Sequence, residues 1–201
     1  YLTTSGSCIQ KPYVKGHKAE YDDDMEQRYK HGELTCIDSI HQDSAQVHYT
    51  LKEHRKVYGG GGIMPDVFVP LDTAVYTPYL RAVRRHNIIT DLALHYVDYH
   101  RAELRTNYPD FDRFISEYEV PAALIDSVAA QAKRKKVVPA DSAEWQKSLP
   151  DLRFLLKSLI AYNVWDRNEY YRILNNRSDI VKKALEILAT DEGKKKRKRS
   201  K

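Results

Sequence analysis

The sequence predicts an α+β protein in which short strands come first and an all-helical domain follows. Glycine is the first indication, because seven of the eight glycines precede residue 63 and residues 63–192 contain none. Glycine is unfavourable inside helices and common in turns. Beyond Pro70, apolar residues also recur every three or four positions, which is the period of a helix with one buried face. We therefore place a domain boundary between residues 75 and 76.

The amino-terminal part is predicted to form short strands and loops. Residues 46–51 alternate with the period of a strand, and residues 55–58 can form another. Residues 63–69 end in Val-Phe-Val, so we expect a third strand with Pro65 at its start, where Pro removes no ladder donor. Residues 12–30 are polar and include three successive aspartates, which favours a surface loop.

Four to five helices are predicted in residues 76–192. Thr77 and Pro78 supply a capping hydroxyl and a proline at the first helical position, and the helix that follows leads to about Thr106. One apolar stripe marks it: Leu80, Val83, Ile88, Leu92, Tyr96 and Tyr99. Pro109 then breaks the chain.

The remaining helices are predicted from their ends. A short helix stops before Pro121, which opens another that ends at the cations of residues 133–136, where positive charge suits a helix dipole. Asp141 starts a capping-box variant ahead of the strongest apolar stripe. That stripe consists of Leu152, Leu155, Leu156, Leu159, Ile160 and Val164. Ser178 is expected to cap a last helix that ends at Gly193.

The basic charge of the chain is confined to its end. The net charge is +5, but seven of the 33 Lys and Arg residues lie in the last eight positions. Without them 26 cations face 28 carboxylates, so that residues 1–193 carry about −2. A nucleic-acid-binding domain spreads its cations along one face, so we expect no nucleic-acid partner and a disordered basic tail at residues 193–201. No run reaches the roughly 18 apolar residues of a bilayer span, so no transmembrane segment is expected.

The ends and the cysteines give little further information. The chain starts on Tyr1, without Met and without a basic segment followed by an apolar one, so we interpret it as an excised piece of a longer protein. Cys8 and Cys36 are too few for a disulfide scaffold and lack the spacing of metal ligands.

The residues themselves predict no metal, cofactor or catalytic site. His95, His100 and Glu103 form the tightest group, but a spacing of five turns the second histidine away by about 140° on a helix. The same conclusion applies to three other histidines: His41, His48 and His54. The four glycines at residues 59–62 are not followed by the Lys-Ser/Thr of a phosphate loop and favour positive φ angles and close backbone approach instead. No Gly-x-Ser-x-Gly nucleophile elbow occurs.

Tyrosine is frequent in the predicted helices. Such side chains combine apolar area with a polar tip, so that they line a peptide-binding groove or a dimer surface, or complete the rim of a helical core. The alternatives stay open for five of them: Tyr96, Tyr99, Tyr162, Tyr170 and Tyr171.

Two segments resemble a known family. Residues 1–10 read Tyr-Leu-Thr-Thr-Ser-Gly-Ser-Cys-Ile-Gln, and residues 61–70 read Gly-Gly-Ile-Met-Pro-Asp-Val-Phe-Val-Pro. In that order they resemble the end of the catalytic domain of carboxyl-terminal processing peptidases, or tail-specific proteases, with Tyr-Tyr-Thr-Pro-Ser-Gly-Arg-Ser-Ile-Gln followed by Gly-Ile-x-Pro-Asp-x-x-Val. Thr4, Ser7 and Cys8 depart from the family's Pro, Arg and Ser. An insertion at about residues 13–57 separates the segments.

The resemblance implies a serine-type endopeptidase with a lysine general base, acting on polypeptides whose apolar carboxyl terminus a PDZ domain presents. The dyad and the PDZ domain lie upstream of these motifs in the family, so this chain alone is expected to be inactive and to meet its polypeptide substrate only through those upstream domains. No catalytic position of the family matches a serine or lysine of the first segment: Ser5, Ser7, Lys11 or Lys15. The location implied is periplasmic or exported, with or without membrane association of the full-length parent.

Two functions therefore remain. In the first, the amino-terminal part completes the core sheet of a peptidase, and the helical domain braces it, pairs two subunits into a homo-oligomer, or restricts access to the cleft. In the second, the helical domain is a non-enzymatic interaction module, and the basic tail adds electrostatic attraction.

Overall fold

A computed structural model describes residues 2–40, 47–72 and 76–190. The chain forms two compact units, Tyr1–Thr73 and Ala74–Lys201. The protein is mostly helical, with a small two-stranded antiparallel sheet in the first unit. The predicted α+β class is therefore confirmed.

Two short helices precede the sheet, α1 (Lys18–Asp22) and α2 (Asp24–Lys30), and a 3₁₀ helix follows them (Ile37–Ser39). The prediction of a surface loop at residues 12–30 is wrong over most of its length. Neither α1 nor α2 buries a residue, so their support comes from side chains four residues apart on the same helix face. The ion pairs are Lys18 with Asp22 and Lys30 with Glu26.

The sheet consists of β1 (Val47–Tyr49) and β2 (Lys56–Tyr58), with Val47 opposite Tyr58. The two predicted strands are confirmed at these positions, except that Gln46 lies outside the described residues. Residues 63–69, predicted as a third strand, have bends and irregular backbone instead. Neither β1 nor β2 pairs with that segment among the described residues, although each has an open edge, so the Val-Phe-Val pattern alone does not produce a strand here.

The second unit has seven helices among its described residues, against the four to five predicted. They are α3 (Pro78–Arg85), α4 (Ile88–Asn107), α5 (Phe111–Glu117), α6 (Ala122–Arg134), α7 (Ser142–Val164), α8 (Arg167–Asn175) and α9 (Asp179–Ala189). One additional helix arises because the first predicted helix is divided into α3 and α4. The other is α8, which was not predicted.

The break lies at Asn87, whose φ of 55° puts it in the left-handed region. Asn adopts that conformation more readily than most residues, so the chain turns there without glycine or proline. The predicted helix from Pro78 to about Thr106 is therefore two helices.

Three predicted caps are confirmed, because each side chain accepts a hydrogen bond from a backbone N–H of the first helical turn. The pairs are Thr77 with Leu80 N, Asp141 with Glu144 N, and Ser178 with Val181 N. The last helix ends at Ala189 rather than at Gly193, which lies outside the described residues together with the basic tail.

The long helix α7 lies at the centre of the helical unit and packs against α3, α4 and α8. Leu152, Leu156 and Ile160 of its predicted stripe are fully buried. Tyr99, which was predicted on the buried stripe of α4, is instead 85% exposed. Among the described residues, no helix is both long enough and apolar enough to cross a bilayer.

Lys157 ties α7 to the carboxyl end of α5. Its Nζ donates hydrogen bonds to the backbone oxygens of Ile115, at 2.9 Å, and Tyr118, at 2.7 Å. Burial lowers the pKa of the Lys157 ammonium, since desolvation disfavours its charged form. The two carbonyls are helix-end acceptors that would otherwise lack a partner from within α5.

Candidate functional site

Aromatic and cationic side chains from α3, α7 and α8 lie together on the helical unit. Tyr170 lies beside Tyr162 and Tyr171, and Arg84 lies over Tyr76. Arg84 and Tyr76 both influence the pKa of the Tyr170 phenol electrostatically, so we treat the two sets of residues together. We call this group the tyrosine–arginine surface. Its members are Tyr76, Arg84, Tyr162, Arg167, Tyr170 and Tyr171.

The turn between α7 and α8 positions half of this surface. Asp166 caps α8, its carboxylate accepting a hydrogen bond from the N–H of Asn168 at 2.6 Å. Trp165 packs against Phe114, with ring centroids 4.9 Å apart, and Ile173 is buried. With these residues turned inward, Tyr171 is left outward and 45% exposed.

Two arginines of α4 hold the carboxyl end of α7. The Arg101 guanidinium donates to the backbone oxygen of Asn163 at 2.7 Å, and that of Arg105 donates to Val164 at 2.9 Å. Cations suit this end of a helix because its last carbonyls have no partner inside the helix. Tyr162 directly precedes Asn163, so the two arginines of α4 also stabilise the backbone that bears Tyr162.

Each exposed arginine of the surface lies over an aromatic ring. The Cζ of Arg84 is 4.6 Å from the ring centroid of Tyr76, and that of Arg167 is 5.8 Å from the centroid of Tyr171. The ring centroids of Tyr162 and Tyr170 are 5.9 Å apart in an edge-to-face arrangement. Such contacts restrict long side chains, so less conformational entropy is lost when a ligand binds.

The surface carries two guanidinium groups, and the carboxylates of Asp166 and Glu169 lie close to Arg167 in sequence. Burial and the neighbouring Tyr171 raise the pKa of the Tyr170 phenol, although Arg84 opposes the shift, so the hydroxyl remains protonated at neutral pH. Within the described ranges, no carboxylate forms an ion pair with Arg84 or Arg167. The surface therefore offers guanidinium and phenol donors to a ligand.

The five tyrosines considered above do not share one environment. Tyr162, Tyr170 and Tyr171 meet on the surface, whereas Tyr96 stacks on His100 with ring centroids 4.3 Å apart. Tyr99 projects into solvent elsewhere on α4. No local sequence pattern identifies the remaining members of the surface, which were not predicted: Tyr76, Arg84 and Arg167.

The structure shows the surroundings of two histidines that the sequence offered as metal ligands. The ring of His100 bonds to the backbone oxygen of Tyr96 through Nδ1 at 2.9 Å, and His48 lies on β1. His41 falls outside the described residues. No group of three or more His, Cys, Asp or Glu residues is placed to hold a metal ion in the described part of the chain.

The two segments that resemble the peptidase family meet in the first unit. Gly60 donates its backbone N–H to the oxygen of Cys8 at 2.7 Å, and Gly62 donates to Ile9 at 2.9 Å. Both glycines have positive φ, 79° and 97°. The expectation of positive φ and close backbone approach in the glycine run is confirmed at these two positions.

The serines of the first segment are held within its own turn. The hydroxyls of Ser5 and Ser7 each lie 2.9 Å from Oγ1 of Thr3. Lys11 pairs with Asp24, with 2.5 Å between Nζ and Oδ1. These side chains therefore stabilise a turn and a loop.

Replacing Gly62 by Ala is expected to destabilise the first unit by about 1–2 kcal/mol, because an L-residue is strained at its φ of 97°. Gly61→Ala is the matched control, since φ at Gly61 is not positive and an added Cβ meets no atom within 4 Å. Urea unfolding of both variants measures the difference. Equal stability of the two variants would contradict the assignment of strain to Gly62.

Comparison with known proteins finds similarity to a protein family over the helical unit. A model described as a family of unknown function (DUF8443) matches residues 79–166, less than half of the chain. No characterised protein and no solved structure matches. The matched region runs from α3 through α7 to Asp166, and so contains Arg84 and Tyr162 of the tyrosine–arginine surface but not its α8 residues.

Proposed function

We propose that this chain is the carboxyl-terminal part of a serine-type endopeptidase of the carboxyl-terminal processing class, and that its helical unit is an accessory domain that binds polypeptide. The meeting of the two family-like segments carries the first half of the proposal. The two segments, about 50 residues apart in sequence, are joined by the hydrogen bond of Gly62 to Ile9, and Gly60, one residue before the second segment, adds a hydrogen bond to Cys8. Adjacent backbones are what two segments of one catalytic core require.

The chemistry belongs to residues upstream of this chain. A desolvated, neutral lysine takes the proton of the serine hydroxyl, and backbone N–H groups stabilise the oxyanion that forms when the serine attacks a peptide carbonyl. The segments around Cys8 and Gly60 support that core and take no part in bond cleavage. Such an enzyme would act in the periplasm or outside the cell.

The tyrosine–arginine surface carries the second half of the proposal. Tyrosine and arginine are the residue types that most often dominate protein interfaces, because they combine apolar area with hydrogen-bond donors. Arg84 and Arg167 lie over rings without carboxylate partners in the described ranges, so they complement Asp and Glu side chains. The partner is therefore an acidic polypeptide segment.

The peptidase is tested by extending the chain upstream. A full-length parent should cleave a peptide with an apolar carboxyl terminus, and should lose that activity when the upstream serine is replaced by alanine. The 201-residue chain alone should leave the peptide intact. A parent that lacks an upstream serine and lysine would leave the non-enzymatic interaction module as the function, and one that cleaves equally well without the serine would contradict the serine-type mechanism.

The surface is tested with two unstructured peptides that differ only in carrying acidic or basic residues. The 201-residue chain should bind the acidic peptide at least tenfold more tightly, and Arg84→Glu combined with Arg167→Glu should remove that preference. Arg134→Glu with Lys147→Glu is the control, since it changes the charge equally at exposed positions on α6 and α7. If both double variants lose binding equally, attraction is a matter of net charge and the surface is not the site.

A further inference from the structure

The last helix, α9, has an apolar face that the described part of the chain leaves largely uncovered. None of its residues is buried, and Ile180, Leu185 and Leu188 are 67%, 62% and 59% exposed. At 100° per residue the apolar side chains fall on one side of the helix. They are Ile180, Val181, Ala184, Leu185, Ile187 and Leu188.

The start of α9 is fixed to the rest of the helical unit. Arg177 pairs with Asp151 of α7 at 2.9 Å and lies over the ring of Phe154, with its Cζ 4.1 Å from the centroid. Ser178 then caps the helix, its hydroxyl accepting a hydrogen bond from the N–H of Val181. The apolar face is therefore presented on an anchored helix.

Charge complementarity indicates what covers this face. On the opposite side of α9, Lys182 pairs with Asp179 and Lys183 with Glu186, each at 3.0 Å, so the helix itself is close to neutral. Shortly after the helix the sequence places seven cations in its last eight positions, residues 194–201. An apolar face and a dense cationic segment thus follow one another within about 20 residues.

We propose that α9 and the cations of residues 194–201 together bind an anionic membrane surface. The apolar face enters the boundary between headgroups and acyl chains, and the cations bind the acidic headgroups. An 11-residue helix offers little apolar area on its own. Stable membrane attachment requires two contributions, which here are the apolar face of α9 and the cations that follow it. This proposal does not depend on the proposed peptidase function.

A second copy of the chain is a poorer occupant of the same face. Two α9 helices packed in parallel would bring two groups of seven cations together, and their repulsion opposes association, whereas an antiparallel pair would cover the apolar faces and give the cations no counter-charge. An anionic bilayer offers acyl chains to the apolar face and acidic headgroups to the cations, and it requires no particular arrangement of the two. A protein groove would have to match both features in shape.

The experiment is co-sedimentation of the full 201-residue chain with vesicles. Neutral vesicles contain phosphatidylcholine alone, and anionic vesicles replace about one third of it by phosphatidylglycerol. Binding to the anionic vesicles should be at least tenfold stronger, and it should weaken as salt rises because the attraction is screened. Equal binding to both vesicles, or binding to neither, would overturn the proposal.

Two variants separate the contributions. Leu185→Asn with Leu188→Asn should reduce binding to anionic vesicles at least tenfold, and so should replacement of the tail cations by glutamine. The control is Leu94→Asn with Val138→Asn, which removes two apolar side chains of similar exposure elsewhere in the helical unit. An equal loss in the control would overturn the role of α9. Sedimentation without vesicles that shows a dimer, dissociated by the α9 variant, would assign the face to a second copy and also overturn the proposal.

Discussion

Replacing Phe114 by Ala is expected to lower the free energy of unfolding of the helical unit by about 3–5 kcal/mol. Phe114 is fully buried, and its ring lies between those of Tyr118 and Trp165, with centroids 4.6 Å and 4.9 Å away. The Nζ of Lys157 is 5.7 Å from the same centroid. Alanine would leave a cavity, because the groups around Phe114 belong to α5, α7 and the turn before α8, and these elements cannot easily move closer to fill the space.

Urea unfolding followed by far-ultraviolet circular dichroism measures this loss. Tyr99→Ala is the control, because Tyr99 is an aromatic residue of the same unit that is 85% exposed, and its removal should change stability by less than about 0.5 kcal/mol. Phe114→Leu should fall between the two, since leucine fills part of the space. A loss below about 1 kcal/mol for Phe114→Ala would show that this aromatic cluster does not organise the fold.

Replacing Glu144 by Ala is expected to cost about 2–4 kcal/mol, because its carboxylate accepts hydrogen bonds from two helix beginnings. Oε1 accepts from the N–H of Tyr79 at 2.8 Å, in the first turn of α3, and Oε2 accepts from the N–H of Ala140 at 2.6 Å, just before α7. Negative charge is favourable at both places, since the amino ends of helices carry partial positive charge. One side chain thus joins the starts of α3 and α7.

Glu144→Gln separates charge from hydrogen bonding, since its single amide oxygen can replace only one of the two acceptors. Its loss of stability should be smaller than that of the alanine variant. Glu117→Ala is the control for removing a carboxylate, because the ion pair of Glu117 with Arg113 is exposed and should contribute little to stability. If urea unfolding gave Glu144→Ala and Glu117→Ala the same stability, the link between α3 and α7 would be of no energetic consequence.

Helix α8 was not predicted, although the sequence contains a pattern typical of a helix start. Asp166 and Glu169 are three residues apart, which is the spacing of a capping box, and Asp166 does cap the helix. The break at Asn87 carried a weaker signal, because asparagine only permits the left-handed conformation and does not require it. The spacing of Asp166 and Glu169 therefore predicts α8, whereas Asn87 alone does not predict the break between α3 and α4.

The sequence by itself determined what depends on neighbouring residues. The caps at Thr77, Asp141 and Ser178 depend on contacts three positions apart, and the apolar stripe of α7 and the alternation in β1 are periodic patterns within one segment. Each can therefore be predicted from a short stretch of sequence. The hydrophobic period also predicts which face of a helix is apolar. It does not state whether another element covers that face.

Only the tertiary structure decided what depends on distant residues. The apolar stripes of α7 and α9 look alike in sequence, yet the first is buried and the second exposed, because only α7 has helices packed around it. The same holds for the tyrosine–arginine surface, whose members span residues 76–171, and for the bonds of Gly60 and Gly62 to the first segment. Burial and contacts between distant residues arise only when the chain packs, and a local sequence pattern does not show which element packs against it.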